Sequence, residues 1–220
     1  MIITIDGPAG SGKSSIAKTL AEKLNIYYLN TGLLYRAVAY VWLQTDPKLE
    51  NINKINSDNL KFIKNIEYKY LDKLPQIFYQ NKNITDQLLN NSISQAASIL
   101  SSIETVRAEL LDLQRIVAKT YNIVCEGRDC GSIIFPDADY KFYLTATLDV
   151  RAKRIFEDKG RKDNDVSLGK VKEELEIRDK RDQARKIAPL VIPNGAVIID
   201  NSEFSKEETL FKILFYIKNT

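Results

Sequence analysis

At 220 residues, with 44% hydrophobic and 28% charged side chains, the chain can bury one substantial core plus a small appended lobe. Its formal net charge of +3 is too mild to call for nucleic acid or an anionic membrane surface, so any basic character that matters is local. Histidine is absent and the only cysteines are Cys125 and Cys130, which excludes a histidine base, a histidine metal site and the usual zinc clusters.

The chain opens MIITIDGPAGSGKSS, a short apolar strand over Ile2 to Ile5 followed by a run holding three glycines. Glycine in that density costs conformational entropy, so the bare backbone must have a use. The run fits G-x-x-x-x-G-K-[ST], with Gly7, Gly12, Lys13 and Ser14 in the fixed positions. In that pattern the backbone N–H groups of Gly7, Pro8, Ala9, Gly10, Ser11, Gly12, Lys13, Ser14 and Ser15 (proline excepted) wrap phosphate oxygens. Lysine reaches the terminal phosphates, and the Ser14 hydroxyl is the expected ligand to Mg²⁺. Ile16, Ala17, Leu20, Ala21 and Leu24 then recur at helical spacing, with Asn25 suited to the helix end. Strand, loop and helix in this order imply a nucleoside triphosphate site, with the helix N-terminus under the phosphate.

Further apolar runs follow at Ile26 to Leu29, Ile123 to Cys125, Tyr140 to Leu144 and Val197 to Ile199, with helical patterns between most of them. This alternation predicts an α/β protein, a three-layer fold around a central five-stranded parallel sheet. Residues 45–91 break the rhythm. IEYKYL and QIFYQN alternate apolar and polar residues, with Lys73, Leu74 and Pro75 available to turn the chain, so a small antiparallel lobe is inserted into a core made of 1–44 and 92–220. A last helix is expected in KEETLFKILFYIKN, with Leu210, Ile213, Leu214 and Ile217 on one stripe. The N-terminus lacks a secretion pattern and no apolar stretch approaches membrane length, so the expected location is cytoplasmic and the two thiols are expected reduced and packed.

Three polar constellations remain. LNTGLLYRAV places Thr31 and Gly32 as a turn at a strand's C-terminal end, where open α/β sheets bind ligands, with Tyr35 and Arg36 on the next helix. CEGRDCG crowds Glu126, Arg128 and Asp129 at a second strand end. Charges there need an anion, a metal or one another: Arg128 is either a phosphate ligand or the partner of Asp129 in an internal ion pair. EIRDKRDQARK sets Arg178, Arg181 and Arg185 on one helical stripe with Asp182 among them, either a solvated face or a clamp for a transferring phosphoryl group. Upstream, Arg151, Lys153, Arg154, Arg161 and Lys162 suggest a short helical lid around 154–170 over the triphosphate.

Taken together, IDGPAGSGKSS, LNTGLLYRAV, the SISQAAS to VRAELL region, CEGRDCGSIIFPDADYKFYL and EIRDKRDQARKIAPL resemble the bacterial cytidylate kinases, P-loop nucleoside monophosphate kinases, in order and over almost the whole chain. The resemblance implies transfer of the γ-phosphoryl group of ATP to CMP or dCMP with Mg²⁺. The partners expected are these small molecules, with neither nucleic acid nor membrane, and nothing in the sequence demands a partner chain, so a monomer is expected. The resemblance also implies that the inserted lobe helps hold the monophosphate. Ser98, Arg107 and Asp129 would meet the cytosine, and Tyr35 and Asp182 the ribose side, with Thr31 beside the acceptor. Arg36, Arg128 and Arg185 would bind the acceptor phosphate and Arg178 would act near the transferring group, so that Lys13, Arg128, Arg178 and Arg185 form the catalytic set. The sequence departs from the family at Asn30, where aspartate is usual, and at Cys130, where an apolar residue is usual and a small packed thiol is expected. A P-loop GTPase is disfavoured because NKNI at Asn81 to Ile84 lacks the aspartate of a guanine reader. An ATP-switched binding module leaves the further arginine clusters unused, and UMP, AMP or shikimate are the rival acceptors.

Overall fold

Alternation of buried apolar strands with amphipathic helices sets the architecture of the computed structural model, which describes residues 1–160 and 167–219. In chain order the elements are β1 (Ile2–Asp6), α1 (Lys13–Leu24), β2 (Tyr27–Asn30), α2 (Thr31–Trp42), β3 (Ile66–Leu71), β4 (Leu74–Tyr79), β5 (Lys82–Asn83), α3 (Asn91–Leu100), α4 (Glu104–Thr120), β6 (Ile123–Gly127), β7 (Tyr140–Thr145), α5 (Leu148–Gly160), α6 (Leu168–Gln183), β8 (Val197–Asp200) and α7 (Lys206–Asn219). All five apolar runs of the sequence become strands of one five-stranded sheet with flanking helices, each strand within two residues of its expected bounds.

The chain divides into two compact units, Met1–Asn25 with Val124–Thr220, and Ile26–Ile123. Within the first, β6, β1, β7 and β8 lie side by side in that order. β1 runs parallel to β7, with Ile3 opposite Tyr140 and Ile5 opposite Phe142, and β7 runs parallel to β8. Ile3, Ile5, Val124, Cys125, Phe142 and Leu144 are fully buried, because a parallel sheet covered by helices leaves neither face to water. α7 packs on α1 through Leu210 and Ile213, two residues of the expected stripe, while Phe211 and Phe215 point outward.

The second unit holds β2, the sheet's remaining strand, and a separate antiparallel sheet in the order β3, β4, β5. Its core gathers Leu34, Ala37 and Val38 of α2, Ala96 and Leu100 of α3, Val106 and Leu110 of α4, and Ile66 and Ile77 of the small sheet. The β3–β4 hairpin turns at Asp72 and Lys73, so Leu74 and Pro75 belong to β4 rather than to the turn. Leu71 and Leu74 close a two-residue loop as a hydrogen-bonded pair, which makes Tyr70 and Pro75 the adjacent non-bonded pair. β5 reaches only Phe78 and Tyr79 on the other side, so the missing proline N–H leaves no gap in either ladder.

Two other expectations shift. Thr31 and Gly32 do not form a turn: α2 starts at Thr31, directly after Asn30, which stands at the N-cap in extended conformation. α6 ends at Gln183 with Ala184 at its C-cap, so Arg185 lies beyond the helix that carries Arg178 and Arg181. Of the expected lid, the end of α5 and the start of α6 are helical; residues 161–166, with Arg161 and Lys162, lie outside the described residues.

Candidate active site

The loop from Gly7 to Gly12 leaves the C-terminal end of β1 at the sheet edge where ligands of open α/β folds bind. Its glycines are required by contact as well as by conformation. Gly7 has φ 146°, and a Cβ there would stand 2.0 Å from the Leu144 carbonyl oxygen; Gly10 has φ 75°, and its Cβ would meet the Arg151 backbone at 2.9 Å. Gly12, at φ 87°, caps α1 without a side-chain bond, leaving the first-turn amides of Lys13, Ser14 and Ser15 and their partial positive charge aimed at the loop.

Lys13 is 95% buried and donates to the Pro8 carbonyl at 2.6 Å and to Ser11 Oγ at 3.4 Å. Its pKa falls to about 7: burial is the largest cause, Arg128 and Arg178 act in the same direction, and Glu126 and Asp6 oppose them. The ammonium thus rests on its own loop, next to other cations that an arriving polyphosphate would neutralise. Asp6 closes β1 and is fully buried, which raises its pKa to about 6 against the amides of Cys130 and Gly131 that it accepts at 2.8 and 2.7 Å. Those bonds fasten the phosphate-loop strand to the turn that follows Arg128 and Asp129. Ser14, exposed at the start of α1, donates to Glu126 Oε1 at 2.8 Å.

Two arginines of the first unit meet at one carboxylate. Arg128 Nε donates to Asp182 Oδ2 at 2.9 Å, and Arg185 Nη2 donates to Asp182 Oδ1. Asp182 is 1% exposed, Arg185 4% and Arg128 16%. Burial works to raise the Asp182 pKa, but Arg128, Arg185 and Arg178 outweigh it and hold the carboxyl below its ordinary value. Of the two readings of Arg128 as an internal pair or an anion ligand, the internal partner is Asp182 rather than Asp129. Arg128, Arg178 and Arg185 thus act on one carboxylate in a largely dry site, where Glu126 and Asp179 also face Arg128.

In the second unit, Thr31 and Tyr35 lie a turn apart on one buried face of α2, and Arg36 is half-buried on the adjacent face. The Arg107 guanidinium sits 5.4 Å from the Tyr35 ring centroid and donates to the Ser101 carbonyl at 3.0 Å, while Ser101 Oγ donates to the Ser98 carbonyl at 3.0 Å. The structure therefore brings Tyr35, Ser98 and Arg107 together, all three buried.

Asp179 and Asn201 were not singled out from sequence, and Arg151, expected in a lid over the triphosphate, is found against the phosphate loop itself. Arg151 of α5 is buried, donates to the Ala9 carbonyl at 2.9 Å and to the Ala146 carbonyl at 3.0 Å, and pairs with Asp179 at 2.6 Å. Asn201, after β8, donates to the Ser11 carbonyl at 3.1 Å and receives Arg154 at 3.0 Å. These bonds hold the phosphate loop from outside. Cys125 and Cys130 face each other across 3.2 Å, both free and fully buried, and burial pushes both thiols up. Neither thiol is expected to react with Ellman's reagent in the native protein, and both should react after denaturation; a fast native reaction would show the site to be open.

A family model described as cytidylate kinase matches residues 3–219. The chain belongs to the cytidylate kinase family. It is accordingly a nucleoside monophosphate kinase. It is 37% identical over 219 residues to a cytidylate kinase of Caldanaerobacter subterraneus subsp. tengcongensis, covering 99% of this chain and 95% of that one. It is 42% identical over 215 residues to a cytidylate kinase of Chlamydia caviae, covering 97% and 96%. A solved shikimate kinase from Bacteroides thetaiotaomicron superposes with a TM-score of 0.51 at 13% identity, covering 99% of this chain and 98% of that one, a likeness of fold alone. Among the described residues no helix is long and apolar enough to cross a membrane.

Proposed function

We infer that the protein transfers the γ-phosphoryl group of ATP to CMP or dCMP, giving ADP and CDP or dCDP. The observation that carries this reading is the concentration of Lys13, Arg128, Arg178 and Arg185 in one unit, at the end of the strand that opens into the phosphate loop. Two polyanions can be brought together there, and phosphoryl transfer asks mainly for alignment and charge neutralisation. The loop amides and Lys13 would hold the triphosphate. Arg128 and Arg185 would take the acceptor phosphate with their planar forks, and Arg178 would follow the charge as it passes between them. No general base is needed, since a phosphate monoester is already largely dianionic near neutral pH.

For the base, Ser98 and Arg107 would supply donors and acceptors of the kind cytosine requires, and Asp129 is proposed as a further base contact. Tyr35 and Asp182 would serve the ribose, and Thr31 and Arg36 the acceptor side; the lobe of β3 to β5, within 45–91, would help hold the monophosphate. α5 and α6 are taken as the helical lid.

The donor set fits Mg²⁺. Ser14 gives its hydrogen to Glu126, which leaves the hydroxyl lone pairs for a hard cation, and Glu126 adds a carboxylate. Among the described residues no group of three or more His, Cys, Asp or Glu could hold a metal ion. Bound there, Mg²⁺ would neutralise phosphate charge. We take the enzyme to act as a cytoplasmic monomer.

Coupled ADP-release assays over CMP, dCMP, UMP, AMP and shikimate test the reading. Turnover with CMP or dCMP well above the others is expected. No turnover with either, or stronger activity with shikimate, would overturn it.

A further inference from the structure

α6 carries a second carboxylate, Asp179, three residues before Asp182 and directed at the other end of the site. Its Oδ2 lies 2.6 Å from Arg151 Nη1, with Arg151 buried and Asp179 nearly so. The same nitrogen donates to the Ala9 carbonyl at 2.9 Å, and Arg151 Nε donates to the Ala146 carbonyl at 3.0 Å. Two neutral carbonyls occupy the hydrogen bonds of a guanidinium but leave its charge, and a buried charge without a counter-charge is costly. Asp179 supplies that counter-charge. Its other oxygen, Oδ1, is buried and makes no hydrogen bond among the described residues, so the hydrogen-bonding contact of this carboxylate is Arg151.

What Arg151 grips is a peptide plane of the phosphate loop. In a trans peptide the carbonyl of one residue and the N–H of the next point in opposite directions. With the Ala9 carbonyl turned to Arg151, the Gly10 N–H is turned away from α5, to the side of the loop left for phosphate. Contact fixes the same plane: a Cβ on Gly10 would meet the Arg151 carbonyl oxygen at 2.9 Å and Ile155 Cδ1 at 3.0 Å. A cation on the carbonyl also polarises the plane and strengthens its N–H as a donor. The arrangement recurs two residues on. Asn201 donates to the Ser11 carbonyl at 3.1 Å and is held by Arg154 at 3.0 Å, which fixes the plane carrying the Gly12 N–H. Arg151 and Arg154 stand three apart on α5, so one helix face braces the loop at two points.

We propose that Asp179 is a positioning residue for ATP: acting through Arg151, it aims the Gly10 amide at the triphosphate. It touches no substrate itself. A donor aimed before the phosphate arrives needs no reorganisation when charge develops there, which is how such a distant carboxylate reaches the reaction. The inference rests on the reading of the loop as an ATP site.

The test is calorimetric binding of a non-hydrolysable ATP analogue to the full chain, well below the melting temperature of each variant. Asp179→Asn keeps the side chain's size and removes its charge; it should weaken the analogue about tenfold and raise KM for ATP about as much. Asp179 also faces Arg128, so the deciding measurement is the cycle with Arg151→Gln. That variant should lose about tenfold, and the double variant again about tenfold rather than the roughly hundredfold of independent effects. The Ala9 carbonyl ¹³C and Gly10 amide ¹⁵N resonances should move in both single variants. Affinity within about twofold of the natural chain in Asp179→Asn, with only the melting temperature lowered, would make the pair a structural bridge and overturn the proposal while leaving the ATP reading intact. A loss of about a hundredfold in the double variant would overturn it too, since Asp179 would then act other than through Arg151. Failure of the natural chain to bind the analogue would overturn the ATP reading and this proposal with it.

Discussion

Lys13→Ala is expected to lower kcat/KM for CMP phosphorylation by about a thousandfold or more, roughly 4 kcal/mol of transition-state stabilisation, while the protein folds as well as before or better. The two halves of this result have one cause. The ammonium is buried beside Arg128 and Arg178, so the fold must carry a charge that its surroundings disfavour, and its pKa falls to about 7. Glu126 and Asp6 offset this only in part, and an entering phosphate adds the compensation that favours the transition state over the free enzyme. Removing the side chain leaves no unsatisfied acceptor, because the Ser11 hydroxyl also donates to the Pro8 carbonyl at 3.0 Å.

The pH dependence gives a second readout. Between pH 7 and the unfolded lysine value near 10.5 the unfolded chain holds the proton that folded Lys13 has lost, so this group's contribution to stability improves as pH rises through that window. Its cost is greatest below pH 7. The stability advantage of Lys13→Ala over the natural chain should therefore be largest at pH 6 and shrink toward pH 10, measured by urea unfolding. A variant with unchanged kinetics would remove Lys13 from the phosphate site. A variant destabilised most at low pH would mean that the ammonium supports the empty loop rather than burdening it.

The sheet, the phosphate loop and the main helices were legible in the sequence because each follows from a local rule: buried parallel strands read as short apolar runs, and a glycine loop between strand and helix has one common use. The hairpin turn was misplaced by the presence of Pro75, since only the register shows that its missing N–H faces neither ladder. Arg185 was assigned to a helix by spacing, yet spacing does not report where the helix stops. The Arg151 bridge to Asp179 and Ala9 was not legible for a different reason. Arg151 sits in a charged amphipathic stretch that resembles a solvated face, and its partners depend on how α5 meets α6 and the loop, a tertiary fact. Asp6 left a readable trace: an acid closing an apolar strand must be buried, and a buried acid needs donors, here the amides of Cys130 and Gly131.

Asp182→Ala is the substitution expected to cost most stability, about 3–5 kcal/mol. The carboxylate is 1% exposed and receives both Arg128 and Arg185, and Arg178 lies near enough to affect its ionisation. Its loss leaves buried guanidinium groups facing one another without the charge that joined them. Removal of one member of such a cluster costs far more than the net value of the intact pair. If the same arginines are the grip on the acceptor phosphate, an added anion should replace the missing charge. Inorganic phosphate should then raise the melting temperature of Asp182→Ala several degrees more than that of the natural chain, about 1–2 kcal/mol of linked binding. KM for CMP should rise while KM for ATP changes little, because the loop amides and Lys13 are untouched. Arg128→Lys, a milder change, should share the rise in KM for CMP, since an ammonium cannot form the paired bonds of a guanidinium. Equal stabilisation of the natural and variant chains by phosphate would mean that these arginines are an internal lock on the end of α6 and not an anion site.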